Sequence, residues 1–236
     1  RPGATPCDPR RYPPALSFNP HPVLRPGATR RFSIEFETDY EDNRQLILYK
    51  RKFIPTHDSS ISGYEWKSPI YQNRRIFYHD CMILDNLSDL VTSNCGTHIH
   101  VEISPGLKDY LYENDCEVFW DLTGHLYMDK QETIMIWGRY FNSYCTDNLD
   151  GDRYQWVNPR SEHRTLEFRL PRFRGAKQYY NVASLCIKLT AHLEKLYEGR
   201  YHPDAIGRYL TRIYKTAVKD ILEKGKVINN VPGYAL

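Results

Sequence analysis

Three stretches of this chain alternate strictly between apolar and polar side chains, and that alternation restricts its fold more than any other feature. They are Phe32-Ser33-Ile34-Glu35-Phe36-Glu37, Thr97-His98-Ile99-His100-Val101-Glu102-Ile103 and Thr165-Leu166-Glu167-Phe168-Arg169-Leu170. A period of two is the signature of a β-strand with one buried face, because successive side chains project to opposite sides. Ile34 and Phe36 therefore share a face in the first strand, and Glu35 and Glu37 share the other. In the second, Ile99, Val101 and Ile103 pack one way while His98, His100 and Glu102 point the opposite way. The third sets Leu166, Phe168 and Leu170 against Glu167 and Arg169. A shorter run, Tyr64-Glu65-Trp66-Lys67, follows Gly63 and stops before Pro69, with Glu65 beside Lys67.

Helical spacing occupies much of the remainder. Residues 71–90 carry Ile76, Ile83, Leu84, Leu87 and Leu90 at helical intervals, and 107–137 read as mostly helical. Two amphipathic helices close the chain. One carries Val182, Leu185, Leu189, Leu193 and Leu196; the other starts after Pro203 and carries Ile206, Leu210, Ile213, Ala217 and Ile221. Strands, interspersed helices and a final helical pair at about 176–224 predict an α+β fold, with an antiparallel or mixed sheet backed by helices.

Eight of the fifteen prolines lie in the first 26 residues, and Arg-Pro-Gly-Ala-Thr occurs at both 1–5 and 25–29. Residues 1–30 are thus expected to form an extended arm, ahead of a single domain over 31–236. Draping over the body, remaining a solvated linker and bridging a homo-oligomer are all compatible with it. The first 31 residues hold six arginines and one acid, a net +5, so the whole-chain +3 leaves about −2 for the rest. That balance shows no basic face for nucleic acid. No apolar run approaches the ~20 residues of a membrane span, and the six scattered cysteines suit a reduced, cytoplasmic protein.

If the four strands share one sheet, its polar face gathers five carboxylates and two imidazoles. An ordinary solvated face also alternates, but it mixes charge signs. Crowded carboxylates repel one another unless they are protonated or bridged by cations. Glutamates joined by one or two histidines suit Mg²⁺ or Mn²⁺; structural zinc would call for cysteine pairs that are absent. Arg139, Arg164, Arg169, Arg172 and Arg174 cluster near this face in sequence. They are suited either to phosphate oxygens or to ion pairs with the same glutamates.

Four blocks in order resemble the amidoligase family, carboxylate–amine ligases of the glutamine synthetase-like superfamily found in phages and bacterial gene clusters. The blocks are Phe32–Glu37, Asp58–Pro69, Cys95–Val101 and Leu166–Leu170, spanning about residues 31–175. The resemblance implies a curved sheet that binds ATP with two or three Mg²⁺ or Mn²⁺ ions. It implies Glu35, Glu37, Glu65, His98 and Glu167 as metal ligands. His100 would lie near the nucleotide or the carboxylate substrate, and Arg169, Arg139 and Arg174 would face phosphate. Gly138-Arg139-Tyr140-Phe141-Asn142 is similar to the family's Arg/Asn segment. Ser59 departs from the glycine that usually follows the Asp. Asp58 is the candidate to deprotonate an incoming amine.

The implied reaction phosphorylates a carboxylate from ATP, because the acid itself is a poor acyl donor. An amine then attacks the acyl phosphate to form an amide or peptide-type bond. The expected substrates are small-molecule or peptide carboxylates and amines. Two other classes stay open on the residues alone: a metal-dependent phosphoesterase or nuclease, which also uses carboxylates and histidines, and a binding or structural protein that keeps the fold without catalysis.

Overall fold

The computed structural model describes residues 30–57, 61–149, 152, 154–161 and 163–229. Apart from Arg30, the proline-rich arm lies outside the described residues, and so does Asp58.

Six strands form one sheet: β1 (Phe32–Glu37), β2 (Ile54–Thr56), β3 (Glu65–Lys67), β4 (Thr97–Glu102), β5 (Val157–Asn158) and β6 (Thr165–Phe168). Their spatial order is β2-β3-β1-β4-β6-β5, and every ladder between neighbours is antiparallel. The four strands expected from alternation are the contiguous inner ones. The outer two were not foreseen. β2 is three residues long with Pro55 at its centre, which suits an edge, and β5 is too short to show any period.

Register sets apolar opposite apolar. Phe36 pairs with Trp66 and Thr97, Ile34 with Ile99, Val101 with Leu166, and Ile99 with Phe168. Ile34, Phe36, Ile99, Val101, Leu166 and Phe168 are fully buried. Against this face lie α2 (Arg74–Asp85) and α6 (Ala176–Glu198). Phe77 of α2 meets Phe32 edge-on at 4.9 Å, and Tyr179 of α6 packs on Phe173, which in turn packs on Phe36. Such rings remove large apolar areas from water, at roughly 25 cal/mol per Å². A shift of one residue in any inner strand would put these rings in water and the glutamates in the core, so the register is strongly specified.

The 71–90 stretch forms α2 followed by a 3-10 turn over Ser88–Leu90, and its buried face is rotated from expectation. Phe77, Asp80, Cys81 and Leu84 point inward while Ile76 is half exposed. The reason is a buried polar group: Asp80 accepts from Tyr71 Oη at 2.8 Å and from Arg51 Nε at 2.6 Å, which draws its side of the helix to the sheet. Asn73 caps the start of α2 by accepting from the Arg75 amide.

The 107–137 stretch divides into α3 (Pro105–Glu113), α4 (Trp120–Met128) and α5 (Lys130–Trp137), after the short α1 (Leu46–Lys50) earlier in the chain. Ser104 and Asp129 cap α3 and α5, and Gly138 ends α5 in the left-handed region at φ +85°. The final helix, α7 (Pro203–Asn229), packs on α6 and α4 and buries Ile206, Leu210, Tyr214 and Val218. Cys81, Cys95, Cys116, Cys145 and Cys186 are buried and unbridged. Among the described residues no helix is long and apolar enough to cross a membrane.

Candidate metal and anion site on the polar sheet face

Antiparallel register turns the alternation into rows across the sheet. Lys67, Glu35 and His98 lie abreast on β3, β1 and β4; Glu65 lies opposite Glu37; and His100 lies opposite Glu167, itself opposite Asn158. Glu35, Glu37, Glu65, His98, His100 and Glu167 are thereby brought to one patch. Glu37, His98, His100, Glu167 and Asn158 are all buried.

The contacts are close. His98 Nδ1 lies 3.2 Å from Glu35 Oε2 and 3.3 Å from Glu167 Oε1, and its Nε2 is 3.6 Å from Glu37. His100 Nε2 is 3.3 Å from Glu35 Oε2, yet it makes no aligned hydrogen bond. Glu37 accepts from the Gly96 amide. Glu65 accepts from Thr56 Oγ1 at 2.9 Å and faces Lys67 Nζ at 3.3 Å. Glu167 is gripped from both sides, by Arg169 Nη1 at 2.7 Å and Asn158 Nδ2 at 2.8 Å. Across the group, Lys67 and Arg169 directly oppose four carboxylates, so the patch carries an excess of negative charge when the imidazoles are neutral.

The titration behaviour reflects this crowding. Burial opposes ionisation of Glu35, but the attraction of His100 and His98 prevails and holds its carboxyl far below the usual range. Burial works against a charged His100 as well, and the pull of Glu35, then Glu167 and Glu65, raises its pKa above the ordinary value. Glu65 is pushed up by burial and by repulsion from Glu35. Glu35 is thus stabilised as an anion by its imidazoles, while Glu65 is held as an anion less readily.

Glu35, His100 and Glu167 each offer one ligand atom, all within 4.8 Å of one another, a grouping that could hold a metal ion. The resemblance puts His98 on the metal and His100 near the nucleotide or the carboxylate substrate. In the structure His100 belongs to this trio, while His98 bridges three carboxylates. Gly96 is required by that packing, since a Cβ there would sit 2.7 Å from His98 Nε2 and 3.4 Å from Arg139 Nη1.

The arginines divide by task. Arg169 reaches the patch, with its guanidinium 5.8 Å from the Tyr154 ring centre and a buried Nε without a hydrogen bond. Arg139 is buried and donates to the Arg169 and Leu170 carbonyls, with Nη1 close to Gly96. Arg174 is exposed and donates to the Gly138 carbonyl at 2.6 Å, and Arg172 donates to the Cys95 and Ser93 carbonyls. Arg174 and Arg172 therefore tie loops behind the site. Glu102 stands at the far end of the face, paired with Arg31.

Sequence reasoning missed Asn158, Thr56 and Thr165, the last lying 3.5 Å from His100 Nδ1. Thr56 and Asn158 sit on outer strands too short for periodicity to register, and Thr165, though it shares the parity of Glu167, carries no charge to single it out. No protein-family model matches the chain, and searches of the curated proteins and of solved structures find no match either.

Proposed function

We propose that this chain is an ATP-dependent carboxylate–amine ligase of the amidoligase type, with a glutamine synthetase-like catalytic sheet. The observation that carries the reading is the convergence of Glu35, Glu37, Glu65 and Glu167 with His98 and His100 on one buried sheet face, with Arg169 at its margin. A plain solvated face has no physical reason to hold four acids and two imidazoles so closely together.

The donors suit Mg²⁺ or Mn²⁺. Carboxylate oxygens dominate, and His100 Nε2 is a buried nitrogen without an aligned hydrogen bond, 3.3 Å from Glu35. Glu35, Glu167 and His100 would hold one ion, with Glu37, Glu65 and His98 beside it. Bound there, divalent ions would neutralise phosphate oxygens and stabilise charge in the phosphoryl-transfer transition state. Arg169 would add a cation on the transferring group, with its buried Nε as a ready donor. Asn158 and Arg169 hold Glu167 in place for this task, and the Gly96 amide does so for Glu37. The acyl phosphate formed on the substrate acid would then pass its acyl group to an amine.

The test is trapping of that acyl phosphate with hydroxylamine, which yields a coloured ferric hydroxamate. Full-length protein, ATP, Mn²⁺ or Mg²⁺ and a panel of organic acids should give hydroxamate and ADP together. Glu37→Gln and Glu167→Gln should cut the rate about 100-fold or more with circular dichroism unchanged. Cleavage of bis(p-nitrophenyl) phosphate with metal alone, and no binding of ATP, would point to the hydrolase instead.

A further inference from the structure

We infer that the acid activated at this site is an elongated dianion. Its reacting carboxylate lies at Glu35 and His100, and its far anionic group is taken by Arg164. The inference rests on the ligase reading and adds the substrate class to it. A cavity of about 400 Å³ opens from Glu35 and His100 toward the ends of β1 and β6, walled by Ser33, Ile70, Arg31 and Arg164 among others. Of the patch's acids it touches only Glu35, and it leaves Glu37, Glu65, Glu167 and Arg169 to the other end of the face. The acid substrate would then enter by this cavity and the polyphosphate would lie over the other end of the face, the two meeting at Glu35.

The cations around this cavity are not equivalent. Lys67 is held by Glu35 at 3.6 Å and Glu65 at 3.3 Å, and Arg31 is paired with Glu102. Arg164 has no ion pair or side-chain hydrogen bond among the described residues, although its backbone is firmly placed. Its carbonyl accepts from the Ile103 amide at 3.1 Å. The preceding loop is pinned by Lys108 Nζ, which donates at 2.6 Å to both the Ser161 and His163 carbonyls. Ser161 Oγ and Thr165 Oγ1 meet at 2.8 Å across the same turn. A fixed backbone presenting an uncommitted guanidinium is a recognition group for an anion.

Spacing and wall chemistry define the ligand. Arg164 lies in the bend just before β6, three residues ahead of Glu167, the register partner of His100. The two ends are therefore separated by at most about 10 Å at ~3.3 Å per residue, and the reach of the Arg side chain shortens the gap to be spanned. On the β3 side of β1, Ile70, 67% exposed, adds an apolar surface to the same cavity. The ligand is then an acid with a second anionic group and some apolar surface to set against Ile70, in the size range of an aliphatic diacid or a small peptide.

The experiment titrates suberate and octanoate, equal in chain length but not in charge, into the Mn²⁺-loaded full-length chain by calorimetry. Wild type, Arg164→Gln and Arg164→Lys are compared, with ATP titrated into the same samples. Suberate should bind about tenfold more tightly than octanoate. Arg164→Gln should abolish that preference with octanoate affinity little changed, and Arg164→Lys should retain part of it. Equal binding of the two acids, binding of neither, or a suberate preference indifferent to Arg164→Gln would overturn the inference even where ATP binds and the ligase reading stands. An Arg164-dependent preference in a chain that binds no ATP would keep the pocket assignment and remove the ligase.

Discussion

At Glu35 two opposing forces meet, and their balance sets how the metal-free protein responds to pH. Burial disfavours the carboxylate, and the flanking imidazoles favour it more strongly. His100 is the mirror case, with burial outweighed by Glu35. A carboxyl depressed below its ordinary 4.5 contributes stability above pH 4.5 and loses it as pH falls through the lowered folded value. An imidazole raised above its ordinary 6.5 contributes stability in full below pH 6.5 and loses it as pH rises through the raised value. The pair therefore stabilises most between about pH 4.5 and 6.5. In chelator-treated protein, the difference in Tm between wild type and His100→Gln should be greatest in that window and shrink toward alkaline pH. A flat difference across pH 5 to 9 would show that the two side chains are not coupled. Saturating Mn²⁺ should remove the alkaline decline, because a bound cation takes the proton's place beside Glu35. Which imidazole would join the metal was not legible in the sequence. His98 and His100 have the same parity, and only the β4–β6 register, which puts His100 opposite Glu167, separates them.

At the scale of the element, β5 shows how a strand of two residues can matter. Val157 seals the apolar face against Phe168, and Asn158 holds Glu167 on the polar one. Replacing Asn158 by Asp keeps the shape and exchanges a donor for a further anion against a buried carboxylate. Asn158→Asp should lower the metal-free stability by about 1–3 kcal/mol, read as a fall in urea midpoint, and should gain more from added Mn²⁺ than wild type does. A variant destabilised equally with and without Mn²⁺ would place Asn158 outside the metal's surroundings. The inner strands were legible because each offers at least four residues of strict alternation. Val157-Asn158 precedes Pro159 with no period at all, and Ile54-Pro55-Thr56 carries a proline that argues against a central strand. For the same reason Thr56 and Asn158, which hold Glu65 and Glu167, could be found only once the sheet order was known. In α2 the apolar spacing named Ile76, but a buried Asp80 with two partners decided the face, a polar contact that hydrophobic periodicity cannot register.

Across the whole molecule, the apolar half of the sheet is stabilised by α2 and α6, while the polar half is destabilised by its own charge once its imidazoles are neutral. Stability stored in the first half is what permits crowded acids in the second. A cation that binds only the folded arrangement should therefore act on the global unfolding equilibrium. At a free concentration about 100 times its Kd it adds ~2.7 kcal/mol. For a chain of this size, each kcal/mol moves the midpoint by about 2–4 °C. Mn²⁺ should then raise Tm by roughly 5–10 °C, and the gain should vanish with Glu35→Gln/Glu167→Gln while, at alkaline pH where His100 is neutral, the variant's metal-free Tm equals or exceeds that of wild type. That second half of the expectation distinguishes a metal site from ordinary surface charge. Removing two carboxylates from a solvated face would leave metal-free stability nearly unchanged, whereas removing them from a buried, under-neutralised cluster relieves repulsion. A double variant markedly less stable than wild type without metal at that alkaline pH would mean that the contacts with Arg169, His98 and His100 already satisfy the cluster, leaving no energetic demand for a cation at the centre of the sheet.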